Sequence, residues 1–406
     1  MECGLLGRKL GHSYSPRIHK FLGEYTYSLF EKEPEEIEAF LKNGSFHGIN
    51  VTIPYKKTVI PFLDELSPTA RKMGAVNTIV RREDGTLIGH NTDYFGFCSM
   101  VEQSRLQVSG KKVLVLGSGG ASNTAVAALK ELGTDVTVIS RSGENNYTNL
   151  HLHKDTAVIV NTTPVGMYPN TEESPLSLDI FPELEGVLDV IYNPARTALL
   201  LQAEARGITA MNGLWMLVAQ AKESAEWFLG EKIPDSVISR VHRSLKLQME
   251  NIMLIGMPGC GKSTVGRLLA EKMGKQFLDA DDVLEQTYGR KITDILPNDG
   301  EEAFRDMETQ VLAHLGKQSG LVVATGGGCV TRQRNYRYLH QNGTIVYLER
   351  ALDALPTDGR PLSKAGNLSR MFALRAPLYN AFCDFRVDNN GETEETVRQI
   401  LSALND

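Results

Sequence analysis

The sequence predicts an α/β protein whose largely parallel sheets are covered by helices, and three observations support this class. Short apolar runs look like buried parallel strands, namely 112–117, 136–140, 157–161 and 186–192. Amphipathic stretches such as 123–132 and 196–205 lie between or after these runs, as in doubly wound domains. Two glycine-rich turns follow predicted strands and precede predicted helices.

Composition narrows the class of protein. Of the 406 residues, 42% are hydrophobic and 23% are charged, which is ordinary for globular protein. The net charge of −6 argues against a nucleic-acid partner, which would need a basic surface. The five cysteines are scattered without a CxxC pair, so we expect free thiols in a reducing compartment. No signal-peptide pattern and no membrane-length apolar run is present, so we expect a cytoplasmic protein without a membrane partner. The sequence does not predict an oligomeric state.

Two positions look like the beginnings of new structural units. Ser109-Gly110-Lys111 is polar and stands just before a predicted strand. Residues 246–250 follow a long predicted helical stretch, 213–247, and precede another strand. The sequence therefore predicts units at 1–108, 109–248 and 249–406, with the helices of 213–248 packing back on the first lobe.

A phosphate-binding loop is predicted at Gly256–Ser263, which matches G-x-x-x-x-G-K-[ST] between a strand and a helix. Glycines let backbone N–H groups surround phosphate, and the helix N-terminus adds positive charge. Lys262 would reach the β- and γ-phosphates, and Ser263 would bind Mg²⁺. A plain helix-capping turn is the alternative, but it does not explain both the lysine and the hydroxyl. The predicted ATP contacts in this loop are Gly259, Cys260, Gly261, Lys262, Ser263 and Thr264.

Two carboxylates, Asp279 and Asp281, follow the next predicted strand. Their i, i+2 spacing at the end of a strand predicts that both project towards the phosphate-binding loop. Asp279 would hold Mg²⁺ through water, and Asp281 would accept the proton of an acceptor hydroxyl. The alternative is that the pair serves as a helix N-cap, a role that Asp281 or Asp282 could also fill.

A second glycine-rich loop, Gly117–Ser122, is a loose G-x-G-x-x-G between a strand and a helix. The next strand is followed by Arg141, where an NAD enzyme would carry an acidic residue. Arginine suits the 2′-phosphate of NADP, so we expect an NADP site, the alternative being a tight turn and a solvated arginine. The crossover 143–156 is too short for a full-length helix.

Polar clusters interrupt the apolar segments of the first lobe at 11–16, 50–56, 74–78 and 90–93. Caps and turns explain any one cluster, for example Ser13 or Ser15 as an N-cap. They explain Lys56 and Asp93 less well. Paired with Asp93, Lys56 could protonate the alkoxide that hydride addition to a ketone produces.

The stretch 249–406 resembles shikimate kinase, a small member of the nucleoside-monophosphate-kinase-like P-loop fold. The motifs are the P-loop, an arginine on a helix, the run Gly326–Gly328, and two later arginines. The resemblance implies that Arg305 and Arg375 grip the carboxylate of shikimate, and that Arg360 closes over the phosphates. It implies shikimate contacts at Asp281, Arg305, Gly327, Gly328 and Arg375. One departure is that no arginine lies between Arg350 and Arg360, where the family usually has one near adenine.

Residues 3–245 resemble shikimate dehydrogenase through the four polar clusters, the glycine-rich loop and the segment 161–167. The implied substrate contacts are Ser13, Ser15, Thr52, Lys56, Asn77, Asp93, Tyr192 and Gln220. The implied cofactor contacts are Gly117, Ser118, Gly119, Gly120, Ala121, Ser140, Arg141, Ser142, Thr162, Met167 and Gly213. The family usually has Asn-Arg-Thr at 140–142 and Asp-Gly at 212–213, so the cofactor site departs slightly from its pattern.

Together the resemblances imply an α/β substrate lobe, a Rossmann-like NADP lobe and a P-loop kinase domain. They imply a bifunctional enzyme of aromatic amino-acid biosynthesis that uses NADPH, ATP and Mg²⁺ to convert 3-dehydroshikimate to shikimate and then to shikimate 3-phosphate. One alternative is a quinate/shikimate dehydrogenase that uses NAD, joined to another small-metabolite kinase. Another is a ligand-sensing regulator derived from a decayed enzyme pair, against which the intact Lys56, Asp93, Lys262, Ser263 and Asp281 argue.

Overall fold

The computed structural model describes residues 1–11, 13–355 and 365–405. The chain divides into two compact units, the first formed by Met1–Tyr192 with Thr197–Leu245 and the second by Asn193–Arg196 with Lys246–Asp406. The described residues form three sheets covered by helices, which confirms the α/β class. None of the described helices combines the length and the apolar character that a membrane span requires.

The first sheet is mixed and has the strand order β2-β1-β3-β5-β6-β4. Its strands are β1 (Glu2–Gly7), β2 (Thr26–Glu31), β3 (Gly48–Val51), β4 (Glu65–Leu66), β5 (Thr78–Arg81) and β6 (Leu87–His90). The register pairs Asn50 of β3 with Thr78 of β5, and Thr78 with His90 of β6. The end of β3, the start of β5 and the end of β6 therefore meet at one edge. This edge brings three of the predicted polar clusters together.

Four helices accompany this sheet, namely α1 (Ser15–His19), α2 (Ile37–Asn43), α3 (Pro68–Met73) and α4 (Asp93–Ser104). The N-cap position of α1 is Tyr14, with no side-chain cap, so the N-cap reading of Ser13 and Ser15 is wrong. The Ser13 hydroxyl instead accepts a hydrogen bond from the backbone N–H of Ser15 at 3.2 Å.

The second sheet is parallel throughout, with the order β11-β10-β9-β7-β8. Its strands are β7 (Lys112–Leu116), β8 (Asp135–Ile139), β9 (Val158–Asn161), β10 (Gly186–Asp189) and β11 (Thr209–Met211), with helices α5 (Gly120–Glu131) and α6 (Ala198–Ala205). Strand β10 is shorter than the predicted 186–192, because the buried Asp189 bonds the N–H of Ile191 and turns the chain. The crossover to β9 carries only a 3₁₀ turn at Leu150–His153, as its length predicts.

The predicted helical stretch 213–247 is two helices, α7 (Leu214–Leu229) and α8 (Ser236–Met249). Gly230 ends α7 in the left-handed region at φ 70°, and Pro234 lies in the turn that follows. Helix α7 packs against α1, α4, β3 and β5 of the first sheet. Gly96 permits this contact, because a Cβ there would lie 2.7 Å from the Met216 carbonyl oxygen.

The third sheet is also parallel, with the order β13-β14-β12-β15-β16. Its strands are β12 (Asn251–Ile255), β13 (Gln276–Asp279), β14 (Leu321–Ala324), β15 (Gly343–Glu349) and β16 (Phe385–Asp388). The helices are α9 (Lys262–Met273), α10 (Ala280–Tyr288), α11 (Ile292–Lys317), α12 (Asn335–His340), α13 (Ala365–Phe382) and α14 (Thr393–Asn405). Strand β12 lies at the centre and runs into the P-loop, so residues that follow β13 and β14 lie on one side of the loop and those that follow β15 and β16 on the other.

Candidate functional site

Lys56 and Asp93 form an ion pair at the shared strand edge of the first sheet. The Lys56 Nζ lies 2.5 Å from Asp93 Oδ2, and the two side chains are 31% and 18% exposed. Asp93 is the first residue of α4, and the Lys56 carbonyl accepts the N–H of Val76 at 2.8 Å, which fixes the loop. A partly exposed ammonium held by a carboxylate can donate a proton to a bound substrate.

Asn77 and Gln220 lie together beside this pair. The buried Asn77 side chain accepts the backbone N–H of Thr92 at 2.7 Å. Its amide group donates to Thr92 Oγ1 at 3.0 Å and to Gln220 Oε1 at 3.4 Å. Residues from the first sheet and from α7 therefore form one polar wall.

Behind this wall is a buried hydroxyl cluster that the sequence did not reveal. The Ser224 Oγ lies 2.8 Å from Asn50 Nδ2, 2.8 Å from Thr78 Oγ1 and 2.9 Å from Thr92 Oγ1. It also donates to the carbonyl of Gln220 at 2.9 Å. The available signal was the spacing of Ser224 one helical turn after Gln220, which gains meaning only once α7 is placed on this sheet.

The remaining predicted substrate contacts lie at other strand ends of the same unit. Tyr192 follows β10, and its ring meets that of Tyr14 edge to face, with 6.0 Å between centroids. Burial, and then the neighbouring Tyr14, raise the pKa of Tyr192. Tyr14 stands between Ser13 and Ser15, so the structure places Tyr192 close to that cluster. Thr52, half-buried, directly follows β3.

The glycine-rich loop after β7 is shaped to expose backbone. Gly117 has φ 109°, and a Cβ there would lie 2.9 Å from Thr162 Oγ1. The Thr162 hydroxyl donates to the Leu116 carbonyl at 2.6 Å, which ties the ends of β7 and β9 together. Exposed positions then lead into the N-terminus of α5, namely Ser118, Gly119, Gly120 and Ala121. A free N-terminus with small residues fits a pyrophosphate group.

The other predicted cofactor contacts surround the same edge of the second sheet. Ser140, Arg141 and Ser142 follow β8, the strand next to β7, and Arg141 is exposed. This placement fits a 2′-phosphate. Met167 is 46% exposed. A Cβ on Gly213 would lie 2.0 Å from the Val190 carbonyl oxygen, so packing explains the glycine at this position.

Asp189 is a second feature that the sequence did not reveal. Its carboxylate accepts Asn161 Nδ2 at 3.0 Å, Thr197 Oγ1 at 2.8 Å and the N–H of Ile191 at 3.0 Å. Burial raises its pKa to about 6 despite these bonds. The Asp189 carboxylate therefore links Asn161, which begins the segment 161–167, to Ile191, which directly precedes Tyr192.

The P-loop after β12 contains three glycines in the left-handed range of φ, at 147° for Gly256, 84° for Gly259 and 95° for Gly261. The Lys262 Nζ donates to the carbonyls of Gly256 and Met257, each at 3.0 Å. Cys260 is buried, whereas Ser263 and Thr264 line the adjoining cavity. Glycine conformation and a buried lysine fit a phosphate cradle.

The prediction that Asp279 and Asp281 both project from a strand end is wrong in its geometry. Strand β13 ends at Asp279, which caps α10 by accepting the N–H of Asp281 at 3.1 Å. Asp281 is therefore a helical residue, and the alternative that the pair caps a helix is confirmed for Asp279 and not for Asp281 or Asp282. The other Asp279 oxygen accepts the Ser263 hydroxyl at 2.7 Å, an arrangement that suits Mg²⁺ near the P-loop.

A cavity of about 890 Å³ joins the P-loop to the predicted acceptor residues. Its lining includes Asp281, Arg305, Gly327, Gly328 and Arg375. Burial, and then Asp279 and Glu308, raise the pKa of Asp281 to about 6. A carboxyl with such a pKa can accept a proton near neutral pH. Arg360 lies outside the described residues.

Glycines after β14 make room for the charged groups of this cavity. A Cβ on Gly328 would lie 2.2 Å from Arg305 Nη2, and one on Gly326 would lie 2.4 Å from Glu308 Oε1. Arg375 Nη1 donates to the Gly327 carbonyl at 3.2 Å. The sequence did not single out Glu308, whose buried carboxylate holds Arg305 Nη1 at 2.8 Å. Its position three residues after Arg305 on one helix was the signal.

Comparison with known proteins identifies both parts of the chain. The shikimate kinase family matches residues 258–405, and the shikimate dehydrogenase substrate-binding domain matches residues 5–79. The NADP(+) shikimate dehydrogenase of Clostridium perfringens strain SM101 is 36% identical over 265 residues, covering 60% of this chain and 97% of that protein.

Solved structures of similar proteins match the N-terminal part of the chain. Shikimate dehydrogenase 1 from Peptoclostridium difficile is 39% identical, with a TM-score of 0.56, covering 61% of this chain and 98% of its own. Quinate dehydrogenase from Corynebacterium glutamicum, solved with NAD, is 27% identical, with a TM-score of 0.55. The match covers 60% of this chain and 98% of that protein. The chain therefore belongs to the shikimate dehydrogenase family over its N-terminal part and continues into a shikimate kinase domain, and both parts are enzymes.

Proposed function

We propose that the N-terminal enzyme reduces 3-dehydroshikimate to shikimate with NADPH, and that the C-terminal enzyme phosphorylates shikimate to shikimate 3-phosphate with ATP. The observation that carries this proposal is that each unit supplies a proton-transfer group beside groups suited to a hydroxylated carboxylate. These are the Lys56–Asp93 pair in the first unit and Asp281 with Arg305 in the second. The ketone reduced by the first enzyme becomes the hydroxyl used by the second.

In the reduction, NADPH supplies the hydride to the carbonyl carbon when it is bound. The carbonyl oxygen gains negative charge as its π bond breaks, and the Lys56 ammonium donates the proton that completes the alcohol. Asp93 accepts a hydrogen bond from the ammonium and so holds it in place. Asn77 and Gln220 would orient the ring hydroxyls through their paired amides.

The residues present fit NADP. The exposed loop at the start of α5 would hold the pyrophosphate, and Arg141 would pair with the 2′-phosphate that distinguishes NADP from NAD. Ser140 and Ser142 can add hydroxyl contacts. The likeness to an NAD-bound quinate dehydrogenase makes the quinate and NAD alternative the natural comparison for any assay.

In the phosphoryl transfer, Asp281 accepts the proton of the shikimate 3-hydroxyl while that oxygen attacks the γ-phosphorus of ATP and ADP departs. Arg305 and Arg375 would fork onto the shikimate carboxylate. Lys262 would leave its loop carbonyls for the phosphate oxygens. Mg²⁺, which would neutralise phosphate charge, would be held by Ser263 and, through water, by Asp279.

We also assign the substrate lobe to residues 1–108, the NADP lobe to 109–248 and the kinase to 249–406. Strands β7 to β11 form a sheet separate from the first sheet, and α7 packs on the first sheet; both observations support the division between the first two lobes.

A single assay on purified full-length chain tests the proposal. With 3-dehydroshikimate and NADPH, we expect shikimate to accumulate, and addition of ATP and Mg²⁺ should convert it to shikimate 3-phosphate, as read by mass spectrometry. NADH replaces NADPH as the competing cofactor in the reduction, and in the oxidative direction quinate with NAD⁺ competes with shikimate and NADP⁺. Faster reduction with NADH, faster oxidation of quinate with NAD⁺, or phosphorylation of another metabolite in preference to shikimate would refute the respective half.

A further inference from the structure

Arg350 lies beside the P-loop but is not part of it. It directly follows β15, whose Tyr347 is in register with Ile255 of β12, so β15 delivers Arg350 to the edge where the P-loop begins. Its Nη1 would be 3.7 Å from a Cβ on Gly261. The half-buried side chain lines the same cavity as the P-loop.

The donors of Arg350 are not all used within the protein. Its Nε is buried and has no hydrogen-bond partner among the residues that the structure describes. A buried N–H of this kind is costly unless water or a ligand accepts it. Ala354 and Leu355 line the cavity close by in sequence and add apolar surface. A guanidinium next to apolar side chains suits a flat, partly charged ligand.

Contacts from the other neighbouring strand hold this corner in place. Asn389, at the end of β16, donates through Nδ2 to the Cys260 carbonyl at 2.5 Å. Asn390 accepts the N–H of Ala351 at 2.8 Å. The backbone that follows Arg350 and the backbone that precedes Lys262 are thus both tied to the end of β16, so the position of Arg350 is preorganised.

The strand order shows which part of a nucleotide reaches Arg350. The acceptor groups Asp281 and Gly327 follow β13 and β14, on one side of β12, whereas Arg350 follows β15, on the other side. The γ-phosphate must face the acceptor hydroxyl. The α-phosphate and the base must then extend towards β15 and β16.

We propose that Arg350 is a nucleotide-specificity residue that contacts the base-proximal half of ATP, outside the cradle that holds the β- and γ-phosphates. The inference rests on the proposed kinase function for the identity of the nucleotide. Arg350 would supply a cation at the base-proximal end of the nucleotide, although no arginine stands between Arg350 and Arg360.

The test measures nucleotide affinity in full-length Arg350→Ala and Arg350→Lys variants. We expect Arg350→Ala to raise the KM and the Kd of ATP about tenfold or more, because a charge-assisted contact is lost. Inorganic pyrophosphate, which matches only the β- and γ-phosphates of the cradle, should bind almost as it does to the unchanged chain. Arg350→Lys should give an intermediate loss, since it keeps the charge but not the planar fork. Arg398→Ala removes an exposed arginine as a matched control.

Each outcome bears on the proposal. Unchanged ATP affinity in Arg350→Ala would overturn it, and so would equal losses for ATP and pyrophosphate, which would place Arg350 on the β- or γ-phosphate. Thermal unfolding followed by circular dichroism, compared with that of the unchanged chain, reports whether each variant is folded, and Arg350→Lys remains informative if Arg350→Ala is not. If the unchanged chain binds ATP but does not phosphorylate shikimate, the proposed function fails while the comparison of ATP and pyrophosphate affinities still decides this inference.

Discussion

At the scale of single residues, Lys56 offers the most direct test of the reduction. We expect Lys56→Ala to lower dehydrogenase kcat by about 10²–10⁴-fold, with a much smaller change in KM for 3-dehydroshikimate, because a proton donor acts in the transition state. Steady-state kinetics of NADPH oxidation provide the measurement. Lys57→Ala is the matched control, since Lys57 is the exposed neighbour. Near-normal turnover of Lys56→Ala would show that another group donates the proton.

Arg141 should decide the choice between the two nicotinamide cofactors. Arg141→Asp should weaken NADPH binding strongly and leave NADH almost unchanged, because only NADPH carries the 2′-phosphate that a carboxylate repels. The ratio of kcat/KM values for NADPH and NADH is the readout. Lys130→Asp makes the same charge change at another exposed position of the cofactor lobe. A parallel loss for both cofactors would mean that Arg141 stabilises the loop and does not read the phosphate.

The pKa of Asp281 predicts an acid limb in the kinase profile. Burial, with Asp279 and Glu308 nearby, raises this pKa to about 6, so the carboxyl gains a proton as the pH falls through 6. The protonated carboxyl cannot accept the hydroxyl proton. The kcat/KM of the kinase should therefore fall by about tenfold per pH unit below the pKa of Asp281 and level off above it. Asp281→Asn should remove most activity at every pH. If kcat/KM stayed unchanged between about pH 7 and about pH 5, the role of Asp281 as the base would be contradicted.

Residue types at strand ends were predictable from the sequence, whereas their partners were not. Lys56 and Asp93 were paired from the family resemblance together with the chemistry of ketone reduction, and the structure places them in contact. Glu308 and Ser224 were not found, because their importance depends on what faces a helix after packing. Arg305 was found through a motif, yet the carboxylate that holds it carries no motif of its own.

At the scale of elements, the glycine run after β14 should tolerate no side chain. The backbone of Gly328 is in an ordinary region, at φ −102°, so strain does not enter. A Cβ there would lie 2.2 Å from Arg305 Nη2 and must displace the guanidinium. We expect Gly328→Ala to raise the shikimate KM by about tenfold or more and to leave the ATP KM nearly unchanged.

The control for this substitution is Gly391→Ala, where a Cβ would meet nothing within 4 Å. It should leave the KM values of shikimate and ATP unchanged when steady-state kinase rates are measured for both variants. An unaltered shikimate KM in Gly328→Ala would show that Arg305 can move without loss, and would remove it from the carboxylate site.

Periodicity was a good guide to the parallel strands and a poor guide to where helices end. The runs at 112–117 and 157–161 are strands because apolar residues continue without alternation, as sheets covered on both faces require. The break between the helices of 213–247 was not located, although Gly230 and Pro234 marked it. Asp281 was wrongly predicted at a strand end, because the start of α10 depends on the Asp279 cap, which the period-two pattern does not reveal.

At the scale of the whole molecule, joining two enzymes in one chain should not by itself raise flux. Freely diffusing shikimate is not tethered, so it gains none of the effective concentration that linked modules share. We expect an equimolar mixture of Lys56→Ala and Lys262→Met chains to match the unchanged chain in overall formation of shikimate 3-phosphate, when active sites of each kind are equal in number. The first variant supplies only the kinase, and the second supplies only the dehydrogenase.

Isotope dilution adds an independent measurement. Labelled 3-dehydroshikimate is converted while excess unlabelled shikimate is present, and label in the final product is counted. We expect the same dilution in the unchanged chain as in the mixture. Undiluted label in the unchanged chain alone would establish direct transfer of the intermediate.

The run Gly326–Gly328 also has a genetic consequence. A Cβ at Gly327 would lie 2.7 Å from Pro258 Cδ, so a side chain at any of the three positions requires a neighbour to move, and the neighbour differs from position to position. Every amino-acid replacement reachable from a glycine codon by one nucleotide change adds at least a Cβ. Evolutionary drift in these three codons is therefore confined to synonymous change, unless the facing residue changes as well. Lineages that depend on the kinase for growth should then lose most missense alleles here, and a survivor should carry a compensating substitution at Pro258, Arg305 or Glu308.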